Sequence, residues 1–199
     1  MARAPSFAGL ILAAGESARM GTDKARLLWH GKTFLEAHID ALTMHTDLVL
    51  VVAGNNAAAL QPVVDARAAF LAVNPQPERG QFSSLQLGLQ EVLNRGRDAA
   101  IIALVDRPPV QPGTIDRLRH ALEQAPSGIW AVVPEYGGSH GHPIVVGREM
   151  ITAFLQAPPE ANAREVEHVH LSHIAYIAVD DPAIAANINT PEDYQRIPS

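Results

Sequence analysis

The chain has 199 residues, no cysteine, a formal net charge of −6 and 47% hydrophobic residues, a globular composition at a length that buries a sizeable core unaided. The missing cysteine excludes disulfides, thiolate zinc sites and cysteine nucleophiles. The acidic balance argues against a nucleic-acid partner, which needs a basic patch, but leaves room for a small anionic ligand held by one basic loop.

The length suits one domain over 1–199. No apolar run approaches the roughly 20 residues of a membrane span. The first 17 residues lack the longer apolar core and cleavage site of a signal peptide. A cytoplasmic protein with no membrane partner is the expectation.

In chain order, the first strand-like run is Gly9–Ala13, followed by a loop of small and basic residues. Thr33–Met44 then carries Phe34, Leu35, Ile39 and Leu42 at helical spacing. Leu48–Ala53 and Ala69–Val73 are continuous apolar runs. Ser83–Asn94 places Leu85, Leu89, Val92 and Leu93 on one stripe, with Ser83-Ser84 as an N-cap. Ala100–Leu104 is another strand pattern, and Thr114–Gln124 another helix, with Thr114 as its cap after Pro112. Ile129–Val133 and Ile174–Val179 complete the strands; Gly137–Pro143 and Ala157–Arg164 read as loops. Thr190-Pro191-Glu192-Asp193 reads as a helix start, with a cap, a proline at the first position and acids in the first turn.

Continuous rather than alternating hydrophobicity marks strands covered on both faces. Strands alternating with helices imply an α/β fold: three layers, a mostly parallel Rossmann-like sheet with helices on both faces. Ligands of such sheets sit beyond the carboxyl ends of the strands. The loop after Gly9–Ala13 lies at such an end, and so does Asp106.

That loop, Leu12-Ala13-Ala14-Gly15-Glu16-Ser17-Ala18-Arg19-Met20-Gly21-Thr22-Asp23-Lys24, lets the backbone approach a ligand closely through its small residues. Converging backbone amides make a cradle for phosphate, and Arg19 and Lys24 add charge. The Walker string GxxxxGK[ST] and the dinucleotide string GxGxxG are both absent. By composition alone the loop is equally a strand–loop–helix turn with exposed basic residues.

LAAGESARMGTDK resembles the LAAGxSxRMGxxK signature of nucleotidyltransferases with a GT-A-like, Rossmann-related fold, most of all the molybdenum cofactor cytidylyltransferase branch. GQFSSLQLGL at 80–89, LVDRPPV at 104–110, GHPIVV at 141–146 and NINTPEDY at 187–194 resemble further elements of that family, in family order. The resemblance implies nucleotidyl transfer from a nucleoside triphosphate, CTP in that branch, to a phosphorylated small molecule of the molybdopterin type. It implies that Leu12, Ala13, Ala14, Gly15, Ser17 and Arg19 wrap the triphosphate and that Lys24 stabilises charge on the α-phosphate. It gives catalytic roles to Lys24, Asp106 and Arg19, and places Ser83, Ser84 and Leu85 against the base or ribose. Asp106 would hold Mg²⁺, with Asn189, and Asn187 beside it, supplying a second oxygen ligand. Arg107, Gly141 and His142 would lie on the acceptor side. A transient contact with a molybdoenzyme or its chaperone is the protein partner it brings.

The chemistry is coherent in itself. An acceptor phosphate oxygen attacks the α-phosphorus and pyrophosphate leaves, so positioning and charge neutralisation suffice without a protein nucleophile. Mg²⁺ takes one or two carboxylates plus substrate phosphates.

The sequence departs from the family pattern at three places. Asn189 stands where the branch often has Asp, and an amide oxygen ligates more weakly. Arg107 stands where relatives often carry Gln, which would favour a more anionic acceptor. Ala161-Asn162 replaces a frequent Gly-Asp, although Ala163-Arg164 remains. Arg107 and this weakened segment motivate a same-fold alternative, transfer to a sugar phosphate or another small phosphate. Asn189 motivates a non-catalytic nucleotide-binding maturation factor. The histidines, His140, His168, His170 and His173 among them, read as structural or exposed rather than as a transition-metal set. Trp29 and Trp130 read as packing residues.

Overall fold

The computed structural model describes residues 5–15 and 20–196. The first half runs β1 (Phe7–Leu12), β2 (Leu28–Trp29), β3 (Lys32–Thr33), α1 (Phe34–Thr43), β4 (Leu48–Ala53), α2 (Ala57–Ala66), β5 (Phe70–Val73) and α3 (Gln81–Asn94). The second half runs β6 (Ala99–Leu104), α4 (Pro112–Glu123), β7 (Ala131–Tyr136), β8 (Ser139–His140), β9 (Ile144–Gly147), α5 (Arg148–Gln156), α6 (Ala163–Val169), β10 (Ile174–Ala178) and α7 (Pro191–Gln195).

The main sheet has the order β10-β7-β9-β6-β1-β4-β5, with β8 paired to β7. β1 lies between β4 and β6, parallel to both, with Leu12 level with Val52 and Leu104. β9 runs against its neighbours β6 and β7, which makes the sheet mixed but mostly parallel. Residues of β1 alternate between two cores. Phe7 and Ile11 face α1, α2 and α4 through Phe34, Ile39, Leu60 and Leu118. Ala8, Leu10 and Leu12 face α3, α5 and α6 through Leu85, Leu89, Phe154 and Val166. This is the expected three-layer arrangement. No helix among the described residues is long and apolar enough to cross a membrane.

Local chemistry sets the helix starts. The Thr33 hydroxyl accepts from the Glu36 amide, and the Glu36 carboxylate accepts from the Thr33 amide, a reciprocal cap that opens α1. Thr190 and Asp193 do the same for α7, and Asn162 and Glu165 for α6. The structure differs from the sequence expectation at two starts. α3 begins at Gln81 and α4 at Pro112, so Ser83, Ser84 and Thr114 lie inside helices rather than capping them.

The sequence reading has no counterpart for α2, β9, α5 and α6, nor for the two-residue strands β2, β3 and β8. α2 carries Pro62, which reads as a breaker because it lacks a donor N–H. β9 is four residues long and passes through Gly147 straight into α5. The stretch read as a loop to Arg164 ends earlier, because Asn162 caps α6.

Candidate functional site

β1 and β6 are parallel neighbours, so the segments leaving their carboxyl ends emerge side by side. Past β1, the Ala13 amide donates to the Val52 carbonyl at 2.8 Å, fixing the loop base against β4. Ala14 is half-buried and Gly15 exposed. The expectations for Ser17 and Arg19 lie outside the described residues. The chain re-enters at Met20, which is buried, and Lys24 opens a short 3-10 turn capped by the Asp23 carboxylate on the Ala25 amide at 3.0 Å.

The Lys24 ammonium then sits between two groups distant in sequence. Its Nζ donates to Asn189 Oδ1 at 2.9 Å and lies 3.5 Å from Asp106 Oδ2. Asp106 follows β6, while Asn189 precedes α7, whose capping carboxylate of Asp193 also accepts from the Asn189 amide at 3.0 Å. The segment before Asn189 is pinned to the Asp106 turn by the Ile188 amide, which donates to the Asp106 carbonyl at 2.9 Å. Lys24, Asp106 and Asn189 thus meet, as the sequence reading expected, whereas Asn187 points into solvent.

The donor set fits a hard divalent cation. Asp106 Oδ1 is buried with no hydrogen-bond partner among the described residues, a state that calls for an ion or water. A carboxylate and an amide oxygen face one point, now held by the Lys24 charge. Among the described residues no group of three or more His, Asp or Glu side chains offers a self-sufficient metal cage. Such a site would supply only a few oxygen ligands, the number Mg²⁺ accepts when substrate phosphates complete its shell.

Several expected residues sit elsewhere. Leu12 is buried in the core, and its carbonyl accepts from the Val105 amide. Ser84 and Leu85 are turned into the fold, and Ser84 Oγ accepts from Asn74 Nδ2 at 2.9 Å. Only Ser83 of that trio keeps exposed surface; its hydroxyl donates to the Gly80 carbonyl and accepts from Asn74.

At Arg107 and Gly141, expected on the acceptor side, the structure shows contacts with the segment around Ile184. Arg107 Nη1 donates to the carbonyls of Ile184 at 2.9 Å and Ala186 at 3.3 Å, because a guanidinium taken out of water must find acceptors. Burial lowers its pKa, against the opposing pull of Asp106. A side chain at Gly141 would overlap the Ile184 carbonyl, so its glycine serves close packing. His142 stays at the cleft, where its Nδ1 donates to the Ile102 carbonyl at 3.3 Å. Burial, and then the Arg107 charge, push its imidazole down to about 4, so it is neutral near pH 7. His38 is also held neutral by burial, with Nε2 2.9 Å from the Arg107 carbonyl. Away from the site, His173 stacks on Trp130 at 3.7 Å and His140 on Tyr176 at 4.0 Å, packing roles that account for both.

Sequence reasoning missed Asn56. Its Nδ2 donates to the Ala13 carbonyl and to Asp23 Oδ2, both at 2.9 Å, while its Oδ1 accepts from the Gly54 amide at 3.1 Å. One amide side chain clips the two ends of the loop to the end of β4. Gly54 makes room for it, since a Cβ there would lie 3.1 Å from the Ala14 carbonyl oxygen and 2.8 Å from Pro77 Cβ. The only available signal was a Gly-Asn-Asn turn at a strand end.

A family model described as the MobA-like NTP transferase domain matches residues 9–174. A "Probable molybdenum cofactor guanylyltransferase" of Mycobacterium marinum is 32% identical over 197 residues, covering 96% of this chain and 92% of that one. The "Molybdenum cofactor cytidylyltransferase" of Escherichia coli is 25% identical over 186 residues, covering 93% and 92%. The crystal structure of Rv0371c from Mycobacterium tuberculosis superposes with a TM-score of 0.83 at 26% identity, covering 98% of each chain. With most of its length matched, the chain belongs to the MobA-like NTP transferase family and is a nucleotidyltransferase.

Proposed function

We propose that the protein transfers CMP from CTP to a phosphorylated acceptor of the molybdopterin type, with Mg²⁺ as cofactor and pyrophosphate as product. The observation that carries this reading is the meeting of Lys24 with Asp106 and Asn189 at the carboxyl edge of the sheet. An acceptor phosphate oxygen forms the new bond to the α-phosphorus, and the bond to the bridging oxygen of pyrophosphate breaks. Ala14, Gly15 and the loop they open hold the triphosphate through backbone amides. Lys24 neutralises charge as it builds on the α-phosphate. Asp106 and Asn189 would hold the metal, whose chemistry when bound is to polarise and clamp phosphate oxygens.

The cytosine preference rests on the alanine at position 14 within Leu12-Ala13-Ala14-Gly15. Named relatives include both a guanylyl and a cytidylyl enzyme. The sugar-phosphate alternative is weakened in part, because Arg107 turns Nη1 to backbone carbonyls. The maturation-factor alternative is weakened by Asn189, whose amide oxygen still faces Lys24.

Pyrophosphate release, measured with CTP, GTP, ATP and UTP against molybdopterin and sugar phosphates, tests the reading. CTP with molybdopterin is the expected pair. Faster release with GTP would overturn the base assignment, and release only with a sugar phosphate would overturn the acceptor. Release with no pair would overturn the transfer itself.

A further inference from the structure

Arg107 adjoins Asp106, and one nitrogen of its guanidinium is turned to backbone carbonyls. It grips the backbone of the segment that delivers Asn189. Residues 186–189 lie in no helix or strand, so their path depends on such tethers. Upstream, the Ile184 carbonyl receives Arg107 Nη1 and also the His142 amide at 3.1 Å. The Ala186 carbonyl receives Arg107 Nη1 as well. Two residues later the Ile188 amide reaches the Asp106 carbonyl. The neighbouring residues 106 and 107 therefore hold both the first metal-ligand candidate and the stretch carrying the second.

From these contacts we infer that Arg107 is a positioning residue, which sets the distance between the Asp106 carboxylate and the Asn189 amide oxygen by anchoring the 184–188 backbone. The inference rests on the reading of Asp106 and Asn189 as the metal-binding pair.

Stability alone is a poor reason for this arginine. Its Nε is buried without a partner among the described residues, and a buried, partly unsatisfied guanidinium is often less stabilising than an apolar side chain of similar volume. A long, rigid, permanently charged fork does suit a tether between two segments. An amide oxygen binds a hard cation more weakly than a carboxylate. A site that uses one therefore depends more on having it correctly placed. Outer contacts that orient metal ligands typically contribute about 10- to 100-fold to metal affinity.

The test is a Mn²⁺ titration in the presence of CTP, repeated with GTP, followed by water proton relaxation, which reports Mn²⁺ held on the protein rather than on free nucleotide. Wild type, Arg107→Met, Arg107→Lys, Asn189→Ala and the Arg107→Met/Asn189→Ala double variant are compared after thermal unfolding has shown each to be folded. Arg107→Gln replaces Arg107→Met should the latter not fold. The expected result is an approximately 10-fold weaker protein-bound Mn²⁺ in Arg107→Met, partial recovery in Arg107→Lys, and no further loss on adding Arg107→Met to Asn189→Ala. A lowered unfolding midpoint with unchanged Mn²⁺ affinity, or full additivity in the double variant, would overturn the inference while leaving the site reading intact. No protein-bound Mn²⁺ in the wild type would overturn the site reading and this inference with it.

Discussion

His142 ties the stability of the fold to pH by being kept neutral. The carbonyl of Ile102 can only accept, so the proton of the neutral ring sits on Nδ1. Burial is the largest cause of its lowered pKa, the Arg107 charge adds to it, and the Ile102 hydrogen bond and Asp106 oppose it. The unfolded chain takes up a proton here as the pH falls through 6.5, while the folded chain resists until about 4. Above 6.5 neither state binds the proton, so the residue adds no pH dependence. Between 6.5 and about 4 the unfolded state binds more protons, so stability falls with falling pH; below about 4 the difference is constant. At about 1.4 kcal/mol per pKa unit, this interval amounts to about 3.5 kcal/mol at most. For a chain of this size that corresponds to roughly 10 °C in the unfolding midpoint. The comparison is wild type against His142→Asn, whose amide can still donate to Ile102, by thermal unfolding between pH 4 and 7.5. His38, also lowered by burial, contributes a slope of the same sign to both proteins, so the difference isolates His142. The variant is expected to lose less stability on acidification. Parallel curves would refute the reasoning.

Lys24→Met removes the cation between Asp106 and Asn189, and pyrophosphate release is expected to drop by about 100- to 1000-fold; a drop below about 10-fold would show that the loop amides carry the charge alone. Asn189→Asp should lower the Mg²⁺ concentration for half-maximal release by roughly 3- to 10-fold by adding ligand charge, and an unchanged requirement would place residue 189 outside the metal shell. Asn56→Ala breaks the clip joining Ala13, Asp23 and Gly54, with an expected loss of about 1–3 kcal/mol in urea unfolding. It should also raise KM for the nucleotide more than it lowers kcat; an unchanged KM would mean that the loop holds its shape without the clip.

The parallel core was legible because burial on both faces leaves a continuous apolar run. Leu48–Ala53 was read with the same bounds the fold gives it, and Ala100–Leu104 with its start one residue late. What periodicity cannot carry is strand order. Nothing in residues 7–12 or 99–104 says that they lie side by side, yet that adjacency brings Lys24 within reach of Asp106, 82 positions away. β9 was hidden for another reason. A four-residue strand joined to a helix by no loop at all leaves no turn residues to mark its end.

The site was legible as a set of charged residues, but not in how each charge is spent. Arg107 is the clearest case, since its identity gives a cation beside Asp106, and only the fold reveals that its Nη1 goes to Ile184 and Ala186. The resulting balance has a chemical consequence. Asp106 contributes one negative charge and Lys24 one positive, Asn189 none, and His142 stays neutral near pH 7; beside them the Arg107 and Asp193 charges face backbone groups and offset each other. The centre is thus close to neutral before any ligand arrives, which disfavours a bare divalent cation. A carboxylate at position 189 would make it net negative and would let a metal bind ahead of the nucleotide. With asparagine there, on the proposed reading the phosphates supply the missing negative charge, so that metal and triphosphate would arrive together.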